Sequence, residues 1–274
     1  MRTQKLHRLA TWALGCALAG WAVQSPAAQP GLEAELDAVG QRVETFWKEI
    51  ATVACTETVE QWKIDPEKRK ILNEKRAVYD YLVFLQWFGD DLAVEESRDL
   101  REESHKKKLR RPSHRPLLVT NGFAIFLLVF HPRFQASFAF EDAGEEVWNG
   151  APYRKLRFEH VRGAKSPSAL RLQERLYPIE WRGEAWIDPQ TGQAARVRAE
   201  LKGPMEDVGL ARLDVDVEYG SVGPDPEAAH VWMPLTARIE AATERQLWRN
   251  VHHFTDYRRF EVKTDFKIED PNLK

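Results

Sequence analysis

The sequence is poor in the features that usually fix a function. It has two cysteines, Cys16 and Cys55, and only Cys55 lies outside the apolar N-terminal stretch, so no disulfide framework is available to it. There is no G-x-S-x-G, no P-loop, no H-E-x-x-H, no G-x-G-x-x-G and no C-x-x-C, so no motif selects a nucleophile, a phosphate cradle, a zinc site or a dinucleotide. No apolar run reaches the ~20 residues of a spanning helix. Charge of either sign is not in excess: 40 basic against 42 acidic residues leave a formal net charge of −2, which argues against a general nucleic-acid binder. Of the eight histidines, His252 and His253 are adjacent and point to opposite faces of any strand, while the others are scattered. Catalytic residues, metal and cofactor are therefore all assigned as none, and the chain is read as no enzyme.

What is present begins with an export signal. Arg2, Lys5 and Arg8 precede the uncharged run Leu9–Val23, and the small residues Ser25, Ala27 and Ala28 follow. This is the order of a secretory signal peptide over residues 1–28, leaving 29–274 as a single domain in the periplasm or outside the cell. A retained anchor is the alternative.

Beyond the leader, Leu32, Leu36, Val39, Val43, Phe46, Ile50 and Val53 recur at steps of four and three, which predicts an amphipathic helix over 32–53. The period then changes to two. "CTETVEQWKI" reads as a strand, "RAVYDYLVFLQWF" as a central strand covered on both faces, and "DDLAVEESRDL" as its hairpin return after Gly89. "REESHKKKLRRPSHRP" (101–116) is predicted to be an exposed basic loop. Its Lys106, Lys107, Lys108, Arg110 and Arg111 suit either plain solvation or contact with a partner or an anionic membrane surface. In "PLLVTNGFAIFLLVFHP", Thr120 or Asn121 is placed as the cap of an apolar helix over Phe123–Phe130 that Pro132 stops.

One-sided strands fill the second half. "RFQASFAF" sets Phe134, Ala136, Phe138 and Phe140 on one face, and "YRKLRFEH" does so for Leu156 and Phe158. "ARLDVDVEYG" does so for Leu213, Val215, Val217 and Tyr219, and "RRFEVKTDFKIE" for Phe260, Val262, Thr264, Phe266 and Ile268. "GEAWIDPQTGQAARVRAEL" reads as a strand-turn-strand unit. Asp188 can bond the backbone ahead of it, Pro189 presets φ, and Gly192 accepts φ > 0. "KGPMEDVGL" (202–210) reads as a connection between strands, with a short turn of helix near Pro204 as the alternative. The apolar faces are rich in aromatics, and they fit two descriptions equally in kind: a closed core, or a curved sheet whose concave face is a groove for acyl chains. In the second, Phe134, Phe138, Phe140, Leu156, Phe158, Val215, Val217, Phe260, Val262 and Phe266 line the site.

This order of elements, with "YDYLVFLQ", "DDLAVEESRD", "YRRFEVKTDF" and the Asp188–Gly192 hairpin, resembles the periplasmic outer-membrane lipoprotein carriers (the LolA/LolB-like fold) and uncharacterised exported bacterial proteins of that design. The resemblance implies a mainly β chain. Its curved antiparallel sheet forms an incomplete barrel, with an N-terminal amphipathic helix and a second apolar helix against the concave face. It also implies a non-enzymatic binder of a lipid or a lipidated partner. The alternatives are an envelope interaction or scaffold protein with a closed core and, last, a hydrolase whose residues converge only in space.

Overall fold

The computed structural model describes residues 30–88, 91–105, 120, 122, 124, 126–172, 175–224 and 230–260; the predicted signal peptide lies outside them. Helix α1 spans Pro30–Ile50 and runs into β1 (Val53–Ile64), β2 (Ile71–Phe88) and β3 (Asp91–His105). A short 3-10 helix (Phe126–Phe130) and α2 (Pro132–Gln135) lead to β4 (Phe138–Trp148) and β5 (Ala151–His160). A two-stranded ribbon, β6 (Ala169–Leu172) and β7 (Arg175–Pro178), precedes β8 (Trp181–Ile187) and β9 (Ala194–Leu201). A single 3-10 turn (Glu206–Val208) follows, and then β10 (Arg212–Val222), β11 (Val231–Ala242) and β12 (Leu247–Arg259).

Ten strands form one antiparallel sheet in the order β3-β2-β1-β12-β11-β10-β9-β8-β5-β4. Its outer strands, β3 and β4, do not pair with each other, so the sheet is an incomplete barrel. Register shifts at Ala54/Thr56, Val78/Tyr79, Asp142/Glu145, Trp186/Ile187 and Glu218/Tyr219 supply the local bends that curl long strands. Period-2 burial is clean where it was expected. Leu213, Val215, Val217 and Tyr219 are buried on β10, as are Leu156 and Phe158 on β5.

The β8–β9 turn is built by its own residues. Oδ1 of Asp188 accepts from the N–H of Gln190 (2.8 Å), the N–H of Gly192 donates to the Asp188 carbonyl (2.8 Å), and Gly192 has φ +71°. Glycine at 183 has a different reason. A Cβ there would stand 2.1 Å from the Arg198 carbonyl oxygen and 2.6 Å from Cζ of Phe158, its cross-strand partner. The aromatic ring covers the backbone that the missing side chain leaves bare.

Several local expectations are corrected. Val53 starts β1 and does not extend α1, because the chain turns at Ala51–Thr52. Phe126–Phe130 form a 3-10 helix and not an α-helix; Phe123, its expected start, and Asn121, one of its two expected caps, lie outside the described residues. The 3-10 helix ends at Phe130, before Pro132 as expected, and Pro132 also opens α2, where a proline at the first helical turn forfeits no bond. Phe134 therefore lies in α2 and Ala136 just after it; β4 begins only at Phe138. Strand β2 lies next to the edge and is covered on one face: Tyr81 and Val83 are buried while Phe84 is 43 % exposed. Arg101–His105 belong to β3, paired with β2, and not to a loop. Lys106, Lys107, Lys108, Arg110 and Arg111 lie outside the described residues. β12 ends at Arg259; Phe260 follows it, half-buried, with its N–H on the Thr52 carbonyl (3.1 Å), and Val262 and Phe266 lie outside the description.

Candidate functional site

Side chains directly opposite one another across the sheet trace its concave face. One row runs Phe140, Phe158, Gly183, Ala199, Val215, Ile239, Asn250, Gln61, Lys75 from β4 to β2. The next runs Leu156, Ala185, Val197, Val217, Ala237, His252, Val59, Ala77, Glu103 from β5 to β3. Both rows change character at the β11–β12 boundary. The half from β4 to β11 is apolar; the half from β12 to β3 carries buried polar and charged groups. The face is one surface with two chemistries.

On the apolar half lie α1 and the 3-10 helix. Leu32, Val39, Val43, Phe46, Trp47 and Ile50 of α1 enter the core with Phe126, Leu127, Val129 and Phe130. The Phe130 ring stands 5.5 Å from Phe140 and 5.8 Å, edge-on, from Phe158; Phe126 meets Trp181 edge-on at 5.0 Å, and Phe46 meets Tyr219 at 6.0 Å. α2 fixes α1 to this filling. Gln135 Nε2 donates to the carbonyls of Leu36 (2.8 Å) and Phe130 (2.9 Å), and Gly40 lets it approach. Of the residues placed on the groove by sequence, Phe138, Leu156, Phe158, Val215 and Val217 converge on this face and are buried. Phe140 and Phe134 pack on its margin.

Two clefts flank the contact between α1 and the β8–β9 turn. A narrow one of about 200 Å³ is lined by Val43, Phe46, Glu49, Leu127, Gln193 and Trp232; a wide, open one of about 780 Å³ runs along Gly31, Glu35, Ala38, Arg154, Pro189 and Gln190. Only a thin ridge divides them: Nε of Arg42 donates to the Thr191 carbonyl (2.7 Å), and Gly192 sits against Ala38. Burial raises the pKa of Glu49, against a hydrogen bond from the Trp232 backbone, and burial likewise raises that of Glu35 despite Arg154 nearby.

The polar half carries a buried network centred on Glu57 and, beside it, a buried ion pair. Glu57, fully buried, accepts from Arg98 Nε (2.5 Å) and Nη2 (3.0 Å) and stands 2.7 Å from Nδ1 of His252. Burial alone would raise the Glu57 pKa; the bonds from His252 and Arg98 more than offset it and hold the carboxyl below its ordinary value. Lys75, buried, pairs with Glu103. Cys55 is a free, buried thiol whose pKa desolvation pushes far up, which makes it a poor nucleophile. Sequence reading did not find this network. Glu57, His252 and Arg98 sit on three strands, and β12 pairs with β1 from the far end of the chain, so nothing in their local spacing joins them.

No family model matches the chain, and no curated protein matches it. Among solved structures it is similar to a LolA superfamily protein from Nitrosomonas europaea, with 9% identity over 83% of this chain and 94% of that one and a TM-score of 0.40. It is also similar to a DUF1329 family protein from Desulfovibrio piger, with 13% identity over 88% of this chain and 98% of that one and a TM-score of 0.42. Lipoprotein LppX of Mycobacterium tuberculosis matches at 11% identity over 85% of this chain and 99% of that one, with a TM-score of 0.22. At such values the architecture rests on the sheet itself.

Proposed function

We propose that this is an exported, non-enzymatic binding protein that holds an acyl-bearing ligand, a lipid or a lipidated partner, on the apolar half of its concave face. One observation carries the reading: among the described residues, the apolar half of the face is covered by α1, the short 3-10 segment and α2, and not by a second large sheet. All ladder bonds of the ten-stranded sheet run between its own strands, so moving α1 aside breaks none of them. Beside the β8–β9 turn, α1 is held by the Arg42–Thr191 bond between the two clefts, with Glu35 paired to Arg154 in the wide one and Glu49 bonded to the Trp232 backbone in the narrow one. A bound chain would replace contacts of like kind, stabilised by about 25 cal/mol per Å² of apolar surface removed from water.

A second reading, a scaffold protein with a closed core, is favoured by the tight aromatic filling around Phe130. In it, partner or membrane contact falls to the basic residues Lys106, Lys107, Lys108, Arg110 and Arg111. The hydrolase reading expects histidine and carboxylate to meet in a polar cleft. His252 and Glu57 do meet, but in the interior, at 3% and 0% exposure, away from both clefts.

Mass spectrometry of an organic extract of the protein, purified from an exporting host without detergent, separates the first two. A near-stoichiometric lipid supports the binding reading. No lipid, together with no uptake of a fluorescent acyl probe, contradicts it and leaves the scaffold.

A further inference from the structure

The filling of the concave face is tethered on the polar half by Thr120 and Gly122, and the tether has a direction. Asn250 Nδ2 donates to Thr120 Oγ1 (2.8 Å), and the same hydroxyl stands 2.8 Å from Nε2 of His252. In the tautomer that bonds both neighbours, His252 donates from Nδ1 to Glu57 (2.7 Å) and accepts from Thr120 at Nε2. Arg98, bound to Glu57, also donates from Nη1 to Oε2 of Glu96 (2.8 Å), whose Oε1 accepts the N–H of Gly122 (2.7 Å). Asn250, His252 and the Glu96 side chain are 0%, 3% and 3% exposed. The wall therefore offers Thr120 and Gly122 one donor and two acceptors in a dry setting. Its charges, Arg98 against Glu57 and Glu96, leave it acceptor-rich.

What occupies those groups has the plan of an amphiphile. A hydroxyl that both accepts and donates, and an N–H beside it, sit on the polar half. The apolar Phe126–Phe130 follows on the apolar half. We propose that Thr120, Gly122 and Phe126–Phe130 are a built-in stand-in for the ligand, and that the ligand displacing them is an acyl amphiphile with an uncharged head. That head carries a hydroxyl and a neighbouring N–H or second hydroxyl, bound by Asn250, His252 and Glu96. The inference rests on the lipid-binding reading and narrows it. A phosphate or carboxylate head brings only acceptors to His252 Nε2 and Glu96 Oε1 and adds negative charge beside two carboxylates. An ammonium head can donate to Glu96 but offers no acceptor in place of Thr120 Oγ1, which accepts from Asn250. A hydroxyl answers both.

The test is displacement of a fluorescent acyl probe from the delipidated full chain by three ligands with one common acyl chain: monooleoylglycerol, monooleoyl lysophosphatidate and oleate. Monooleoylglycerol is expected to displace the probe at a concentration about tenfold lower than lysophosphatidate, as one matched against one unmatched buried hydrogen bond dictates. Equal potency, or preference for the phosphate, overturns the inference while leaving the lipid site standing. No probe uptake at all overturns the binding reading and this inference with it. Glu96→Gln locates the head: removing one carboxylate charge and supplying an amide donor is expected to strengthen displacement by lysophosphatidate and oleate and to shrink the preference to about twofold. A tenfold preference that survives in Glu96→Gln places the head elsewhere and overturns the assignment. The wild-type comparison decides by itself if that variant does not fold.

Discussion

His252 Nδ1 lies 2.7 Å from Oε1 of Glu57, joining strands β12 and β1 where the concave face turns from apolar to polar. Glu57 is held below the ordinary carboxyl value of 4.5, so the folded state binds its proton less readily than the unfolded chain. That stability is present above pH 4.5 and is lost as pH falls through the lowered folded pKa. Glu57→Gln is expected to cost about 1–3 kcal/mol at pH 7 and progressively less below pH 4.5. Urea unfolding of both proteins at pH 7 and pH 3.5 checks it. A difference independent of pH would deny the carboxylate this role.

Phe130, with 0% exposure, is the centre of the filling against Phe140 and Phe158. Phe130→Ala is expected to destabilise by about 3–5 kcal/mol, as large-to-small core changes do. Because the space it leaves lies on the proposed acyl site, saturating acyl probe should recover part of that loss. Thermal melts with and without probe measure both effects. An unrescued loss equal to that of the sheet-wall change Leu156→Ala would make Phe130 ordinary core.

The Arg42–Thr191 bond joins an exposed side chain to a turn carbonyl, and its thermodynamic weight is small. Arg42→Ala should lower stability by about 0.5–1.5 kcal/mol. Its larger effect should be kinetic: acyl probe should enter several-fold faster at an unchanged plateau. Stopped-flow fluorescence gives the rate; identical entry rates would show that the ridge is not on the path.

Gly183 tests the sheet beneath the site. An added methyl collides with the Arg198 carbonyl and the Phe158 ring, both fixed by strand pairing. Gly183→Ala is expected to cost at least about 1–3 kcal/mol, whereas Gly31→Ala, with nothing within 4 Å of the new Cβ, should fall within about 0.5 kcal/mol of the wild type. Chemical denaturation of the two variants makes the comparison.

Residues that repeat with a period were legible in the sequence. The stripe of α1, the alternation of β5 and β10 and the turn chemistry of Asp188–Gly192 are local, and each predicts its element. The limits of those elements were less so. Phe126–Phe130 is apolar at every position and has no period, so only its packing against Phe140, Phe158 and Trp181 shows how it lies. The alternation of Phe134 with Ala136 and Phe138 reads as a strand, since alternation cannot reveal a proline-initiated helical turn beginning at Pro132. Of the site, the apolar wall was visible as alternation, but Arg98, Glu57, Thr120 and His252 meet through non-local strand pairing. One of two Glu in a Thr-rich strand and a His beside another His carry no sign of each other.

The claim that the concave face is reached by moving α1 away from the β8–β9 turn has a direct test. A Cβ at Gly192 would stand 3.6 Å from Cβ of Ala38, within the range a disulfide spans. The double variant Ala38→Cys with Gly192→Cys therefore ties the helix to the turn when oxidised and frees it when reduced. The account predicts that the oxidised protein takes up no acyl probe and that reduction restores wild-type uptake. Equal uptake in both states would contradict it.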